Sequence, residues 1–211
     1  MDNEAIRQKS LSKAKRLGYP VNSHLPLLGD IKIERSLEEF VDRMLCLYTC
    51  VACSYGLPKK IGWAWLAQEG LLEKVTTGES LYLREKDPDA GEKYKTHVET
   101  IWAMTWIASL QDELEFDKTC TNEMVSMFPN LKASASSEAF RSKCQLRELD
   151  EVVPKIDLAY CLHWAVGYES LNKAEIPKKP KRIRPYIIVN RRLALEWLVC
   201  DDPWDEVHLD T

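Results

Sequence analysis

The segment from Ser36 to Gly56 constrains the fold more than any other stretch. Leu37, Phe40, Val41, Met44, Leu45, Tyr48, Val51, Ala52 and Tyr55 recur at three- and four-residue steps, which places them on one face of an α-helix. Ser36 and Glu39 supply the S-x-x-E start signal of such a helix, and Gly56 supplies its stop. A helix with this much apolar surface must be covered by other elements, and the rest of the chain offers helices to do it. Glu4 to Leu17 reads as a charged amphipathic helix stopped by Gly18, with Pro20 beyond. Pro20 and Pro26 keep Tyr19 and Leu25 out of helical dihedrals, so Tyr19 to Glu34 is expected to cross the surface as an extended connection. Pro58 suits the first turn of a further helix carrying Ile61, Trp63, Trp65 and Leu66. Thr76 and Glu79 mark another capped start. Gly91 to Leu110 carries Val98, Ile101, Trp102, Met104, Trp106, Ile107 and Leu110 around nearly its whole circumference, the pattern of a central, buried helix. Shorter helices are predicted over Thr119 to Phe128 and Ser136 to Cys144, a long one over Leu149 to Tyr168, and a last one over Asn190 to Val199. No segment alternates as a half-buried strand would. Ile187, Ile188 and Val189 form the one β-like run, read here as extended chain.

The expectation is therefore an all-α fold, one compact domain of roughly nine or ten helices spanning 1–211. It comprises an N-terminal helix and extended connection over 1–35, a long basic loop over 171–189 between the last two helices, and an acidic tail over 201–211. With 211 residues and 45% hydrophobic side chains, the chain can bury a core of this size. A net charge of −4 and a pI of about 5.7 argue against a nucleic-acid binder by bulk electrostatics. No apolar leader or membrane-length run is present, and seven cysteines amid apolar neighbours fit reduced thiols. The expected location is the cytoplasm.

Catalytic signatures are sparse. Cys46, Cys50 and Cys53 reproduce a C-x3-C-x2-C spacing that can hold an iron–sulfur cluster, but they sit inside the best-formed amphipathic helix, where cysteine acts as a small apolar residue. His163, within Tyr160-Cys161-Leu162-His163-Trp164, would serve as a general base only if a carboxylate oriented its ring. No nucleophile elbow, phosphate loop or zinc-protease motif occurs. The expectation is a protein that is not an enzyme, with no cofactor, no metal site and no catalytic residue. An enzyme using His163 is the alternative.

The loop after the long helix carries the distinctive chemistry. Lys178, Lys179, Lys181, Arg182 and Arg184 are interleaved with Pro177, Pro180 and Pro185, and prolines reduce the entropy that a loop loses when a partner fixes it. A partner-binding surface is expected from Tyr168, Asn172, Lys178, Lys179, Lys181, Arg182, Arg184 and Tyr186. A nucleic-acid adaptor using the same cations is a second alternative. The tail, with Asp201, Asp202, Asp205, Glu206 and Asp210, could fold back on the basic loop, hold a hard cation or mimic phosphate.

Several strings together carry a resemblance. They are Arg35-Ser-Leu-Glu-Glu; Thr100-Ile-Trp-Ala-Met-Thr-Trp followed by Asp112-Glu-Leu-Glu-Phe; Leu158-Ala-Tyr-Cys-Leu-His-Trp-Ala; and Arg191-Arg-Leu-Ala-Leu-Glu-Trp-Leu closing on Trp204-Asp. With the Leu-Gly-Tyr-Pro and His-Leu-Pro of Ser12 to Leu27, the chain resembles the bacterial domain-of-unknown-function 4272 family. The resemblance implies a helical cytoplasmic protein and supplies no catalytic residues. The loop after Glu169 is longer and more basic than the family's usual pattern, which points to a partner specific to this protein. A compact, acidic bacterial protein with one elaborated loop has the profile of an immunity protein that neutralises a cognate toxin effector, often a nuclease.

Overall fold

A computed structural model describes residues 2–85, 90–172 and 184–211. Among them the chain forms ten α-helices and three 3-10 turns, with no strand. α1 (Asn3–Arg16) leads into the extended connection, and α2 (Leu37–Ser54) is followed by α3 (Lys59–Gln68), a 3-10 turn (Leu72–Lys74) and α4 (Thr77–Leu83). Then come α5 (Gly91–Thr96), α6 (Val98–Ile107), α7 (Met124–Met127), a second 3-10 turn (Leu131–Ala133) and α8 (Glu138–Arg141). α9 (Leu149–Leu171), α10 (Pro185–Val199) and a last 3-10 turn (Trp204–Glu206) complete the all-helical domain.

The expected central helix is central, and it is broken. α5 and α6 meet at His97, whose backbone N–H closes a short turn onto Tyr94 while its carbonyl opens α6 by accepting from Ile101. The buried His97 ring holds the corner by hydrogen-bonding Thr100 Oγ1 at 3.0 Å. Ile101, Ala103, Met104, Trp106 and Ile107 are all buried, as apolar residues on every side of α6 require. α10 covers α6 and α9, α1 lies on α9, and α2 packs on α3, α4, α5 and α6.

Local chemistry explains the ends. Ser36 Oγ accepts from the Glu39 N–H, but the Glu39 carboxylate turns to Arg35, so only half of the predicted capping box forms. Thr76 and Glu79 make both halves. α2 and α3 approach so closely at Gly62 that a Cβ there would stand 2.8 Å from Cys53 Sγ and 2.8 Å from Thr49 Cγ2. Glycine at 62 is what lets the two helices touch.

Three expectations need correction. Ile187, Ile188 and Val189 are helical, because Pro185 occupies the first turn of α10 and buried Ile187 and Ile188 face the core. The connection between the last two helices is correspondingly shorter than 171–189, since α9 runs to Leu171 and α10 starts at Pro185. The helix expected over Thr119 to Phe128 is confined to Met124–Met127, and that over Ser136 to Cys144 to Glu138–Arg141. These short segments sit among irregular backbone held by side chains instead of by helical hydrogen bonds.

Buried and half-buried arginines do much of that holding. Arg7 forks onto Asp157 of α9 at 2.8 Å and donates to the carbonyls of Leu25 and Pro26, each at 2.7 Å. Arg191 pairs with Glu99 at 2.6 Å and donates to the carbonyls of Glu115 and Lys118, while Glu99 accepts the Cys120 N–H. Arg147 reaches the carbonyls of Trp106 and Gln111, and Arg35 those of Trp197, Cys200 and Asp202. A guanidinium with five N–H donors can satisfy a carboxylate and two loop carbonyls at once, which irregular buried backbone needs.

Candidate protein-binding surface

α9 packs on α10, and the basic segment follows the end of the first and precedes the start of the second. Tyr168 is partly exposed and stacks on Trp164, ring centroids 5.1 Å apart. Asn172 is spent on the helix end: its backbone N–H and side-chain Nδ2 both donate to the Tyr168 carbonyl. Arg184 caps the start of α10 and is exposed, and Tyr186 is 36% exposed. Lys178, Lys179, Lys181 and Arg182 lie outside the described residues.

Two residues absent from the sequence expectation enlarge this surface. Leu171, in the last turn of α9, is 86% exposed, and Tyr55, just past α2, is 64% exposed. Tyr55 lies close enough to Tyr186 and Cys120 to interact with both electrostatically, and its hydroxyl donates to the Lys95 carbonyl at 3.4 Å. Four of the nine large apolar side chains exposed among the described residues thus lie just past α2 (Tyr55), in the last turn of α9 (Tyr168 and Leu171) and in the first turn of α10 (Tyr186). The sequence placed Tyr55 on the buried face of α2. The periodicity is correct, but the helix outruns the core that covers it.

The remaining candidates resolve differently. His163 Nδ1 stands 2.7 Å from Arg192 Nη1, so a permanently charged guanidinium, not a carboxylate, faces the ring. Nδ1 must accept, which leaves the ring proton on Nε2, and burial together with Arg192 pulls the imidazole down to about 4. A base that weak is poorly matched to proton abstraction near neutrality. Cys46, Cys50 and Cys53 are buried, and burial pushes Cys46 and Cys53 up to about 12 and Cys50 well above its usual range. Among the described residues no group of three or more His, Cys, Asp or Glu side chains is placed to hold a metal ion. Among the described residues the acidic tail is held by its backbone and by Trp204: the Leu209 and Asp210 carbonyls accept from Arg192, and Trp204 packs edge-on against Trp197. Among the described residues no helix is long and apolar enough to cross a membrane.

No curated protein and no solved structure is detectably similar to the chain. One family profile does match, and it covers residues 6–207. The chain accordingly belongs to the family described as domain of unknown function (DUF4272), as the strings at Arg35, Thr100, Leu158 and Arg191 anticipate.

Proposed function

We propose that this chain is a non-catalytic protein-binding protein, an immunity protein that binds and neutralises a cognate toxin effector. The observation that carries the reading is the exposed set Tyr55, Tyr168, Leu171 and Tyr186, grouped at the ends of three helices and flanked in sequence by a run of lysine and arginine. Tyrosine supplies large, stiff contact area with a polar tip and is enriched where binding energy concentrates. The Trp164 stack restrains Tyr168 before any partner arrives, which lowers the entropy lost on binding. The neighbouring cations ask for carboxylates on the partner's matching patch, whereas the net charge of −4 favours encounter with a protein that is basic elsewhere.

The test is capture from the native cell of the intact protein beside a Leu171→Ser/Tyr186→Ala variant, with retained proteins identified by mass spectrometry. The expected result is one stoichiometric partner lost with the variant, toxic when expressed alone and harmless when co-expressed with this protein. Unchanged toxicity on co-expression at excess would sink the immunity reading.

A further inference from the structure

A groove of ≈ 760 Å³ opens between the C-terminal half of α2 and residues 120–132. Its volume lies within the range of about 300–1,000 Å³ usual for small-molecule sites. One wall is Tyr48, Val51, Ala52 and Tyr55, a single helical face roughly 10 Å long at 1.5 Å per residue. Met124, Val125 and Phe128 build the opposite wall, where methionine's unbranched thioether adapts to whatever lies against it. Tyr48 stacks on Phe128 at 4.1 Å between ring centroids, and Phe128 in turn on Phe140 at 4.8 Å, so the walls are tied to the core beneath. Val125 is nonetheless 57% exposed, an apolar surface left uncovered.

Polar side chains line this apolar space too, among them Tyr48, Thr121, Asn122 and Lys132. Tyr48 is 7% exposed, its hydroxyl makes no hydrogen bond to a described residue, and the residue lines the groove. Lys132 is the one charged residue among those lining the groove, and no described carboxylate pairs with it. A long apolar trough whose one charged lining residue is a lysine with no described carboxylate partner complements an amphiphile of the opposite sign. We infer that this groove binds an unbranched aliphatic monocarboxylate, a fatty-acid-like anion, with its chain along the α2 face and its head group toward Lys132. This site shares Tyr55 with the partner surface proposed above, does not rest on that reading, and is tested on the purified protein alone through residues outside that surface.

The probes are octanoate, decanoate and dodecanoate, titrated calorimetrically below their micellar concentrations into the intact protein and three variants. Saturable one-to-one binding that tightens roughly fourfold per added methylene is expected, the value corresponding to full burial of each CH₂. Ala52→Trp, which fills the trough, and Val125→Arg, which places a charge on an already exposed position, should each weaken binding at least tenfold. Thermal melting of both variants checks that each is folded. Lys132→Glu should weaken binding by about tenfold or more and leave the chain-length dependence intact. Absence of saturable binding, or affinity unmoved by both trough variants, overturns the site. Affinity unmoved by Lys132→Glu overturns the anionic ligand class.

Discussion

The connections at 17–36 and 108–123 and the junction between α9 and α10 treat arginine and aromatic side chains in opposite ways. In the two connections the guanidiniums of Arg7 and Arg191 are buried, matched to Asp157 and Glu99, and donate their remaining N–H groups to loop carbonyls. At the junction Arg184 is exposed, and Tyr168 and Tyr186 present ring area to solvent. Irregular backbone in this protein is therefore stabilised from the inside by charge. On the proposed function, stability and recognition would fall in separate places, and substitutions should report on them separately.

The largest effect is expected from Arg191→Met, which would strand the Glu99 carboxylate in the core and release Glu115 and Lys118. Breaking a buried pair by removing one partner costs about 3–5 kcal/mol, which should appear as a large drop in the urea midpoint. A loss below about 1 kcal/mol would mean that the 108–123 connection does not depend on its arginine. Next comes pH. Burial holds His97 down to about 4 in the folded chain, against an ordinary value of about 6.5. The unfolded chain therefore binds more protons between those two values, so stability is full above pH 6.5 and falls as pH drops toward 4, by up to about 3 kcal/mol. Urea titrations at pH 7 and pH 5 on the intact protein and on His97→Gln check it, and an equally steep pH dependence in the variant would remove His97 as the cause.

A smaller effect sharpens the contrast at a helix start. Ser36→Ala removes the acceptor for the Glu39 N–H and should cost about 1 kcal/mol. Because Arg35 engages Glu39 and also ties α2 to the end of α10, Arg35→Ala should cost more than Ser36→Ala in the same measurement. Smallest is Leu171→Ser, at a side chain 86% exposed, where stability should move by no more than about 0.5 kcal/mol while partner capture fails. A Leu171→Ser protein that is markedly destabilised would break the comparison, since it would make the α9 end part of the core.

Much of the fold was legible because helical period and end signals agree. Ser36, Gly56, Thr76 and Gly18 mark boundaries that their own hydrogen bonds or turn conformations produce. What misled was local preference against tertiary packing. Ile187, Ile188 and Val189 are β-branched and follow prolines, yet burial of two of them against the core makes the helix the better state. The break at His97 was invisible because it depends on a buried ring bonded to Thr100, and Thr100 in turn donates to Asn190 of another helix. The arginine clamps were equally hidden, since Arg7 and Asp157 are 150 positions apart and no spacing connects them. Of the expected binding residues, Tyr168, Arg184 and Tyr186 are exposed, and Asn172 is committed to capping α9. Exposure of Leu171 and Tyr55 depends on where the core stops, which periodicity does not encode.

The close contact at Gly62 has one more outcome. It seals the Cys53 sulfur between two helices, in a chain where Cys46, Cys50, Cys144 and Cys161 are also enclosed and only Cys120 and Cys200 reach toward solvent. A thiol reagent meets the five hidden sulfurs only when the domain opens. The native chain thus carries its own stopwatch: after a fast phase at two positions, the slow labelling rate of each remaining cysteine times the breathing of the helix that hides it.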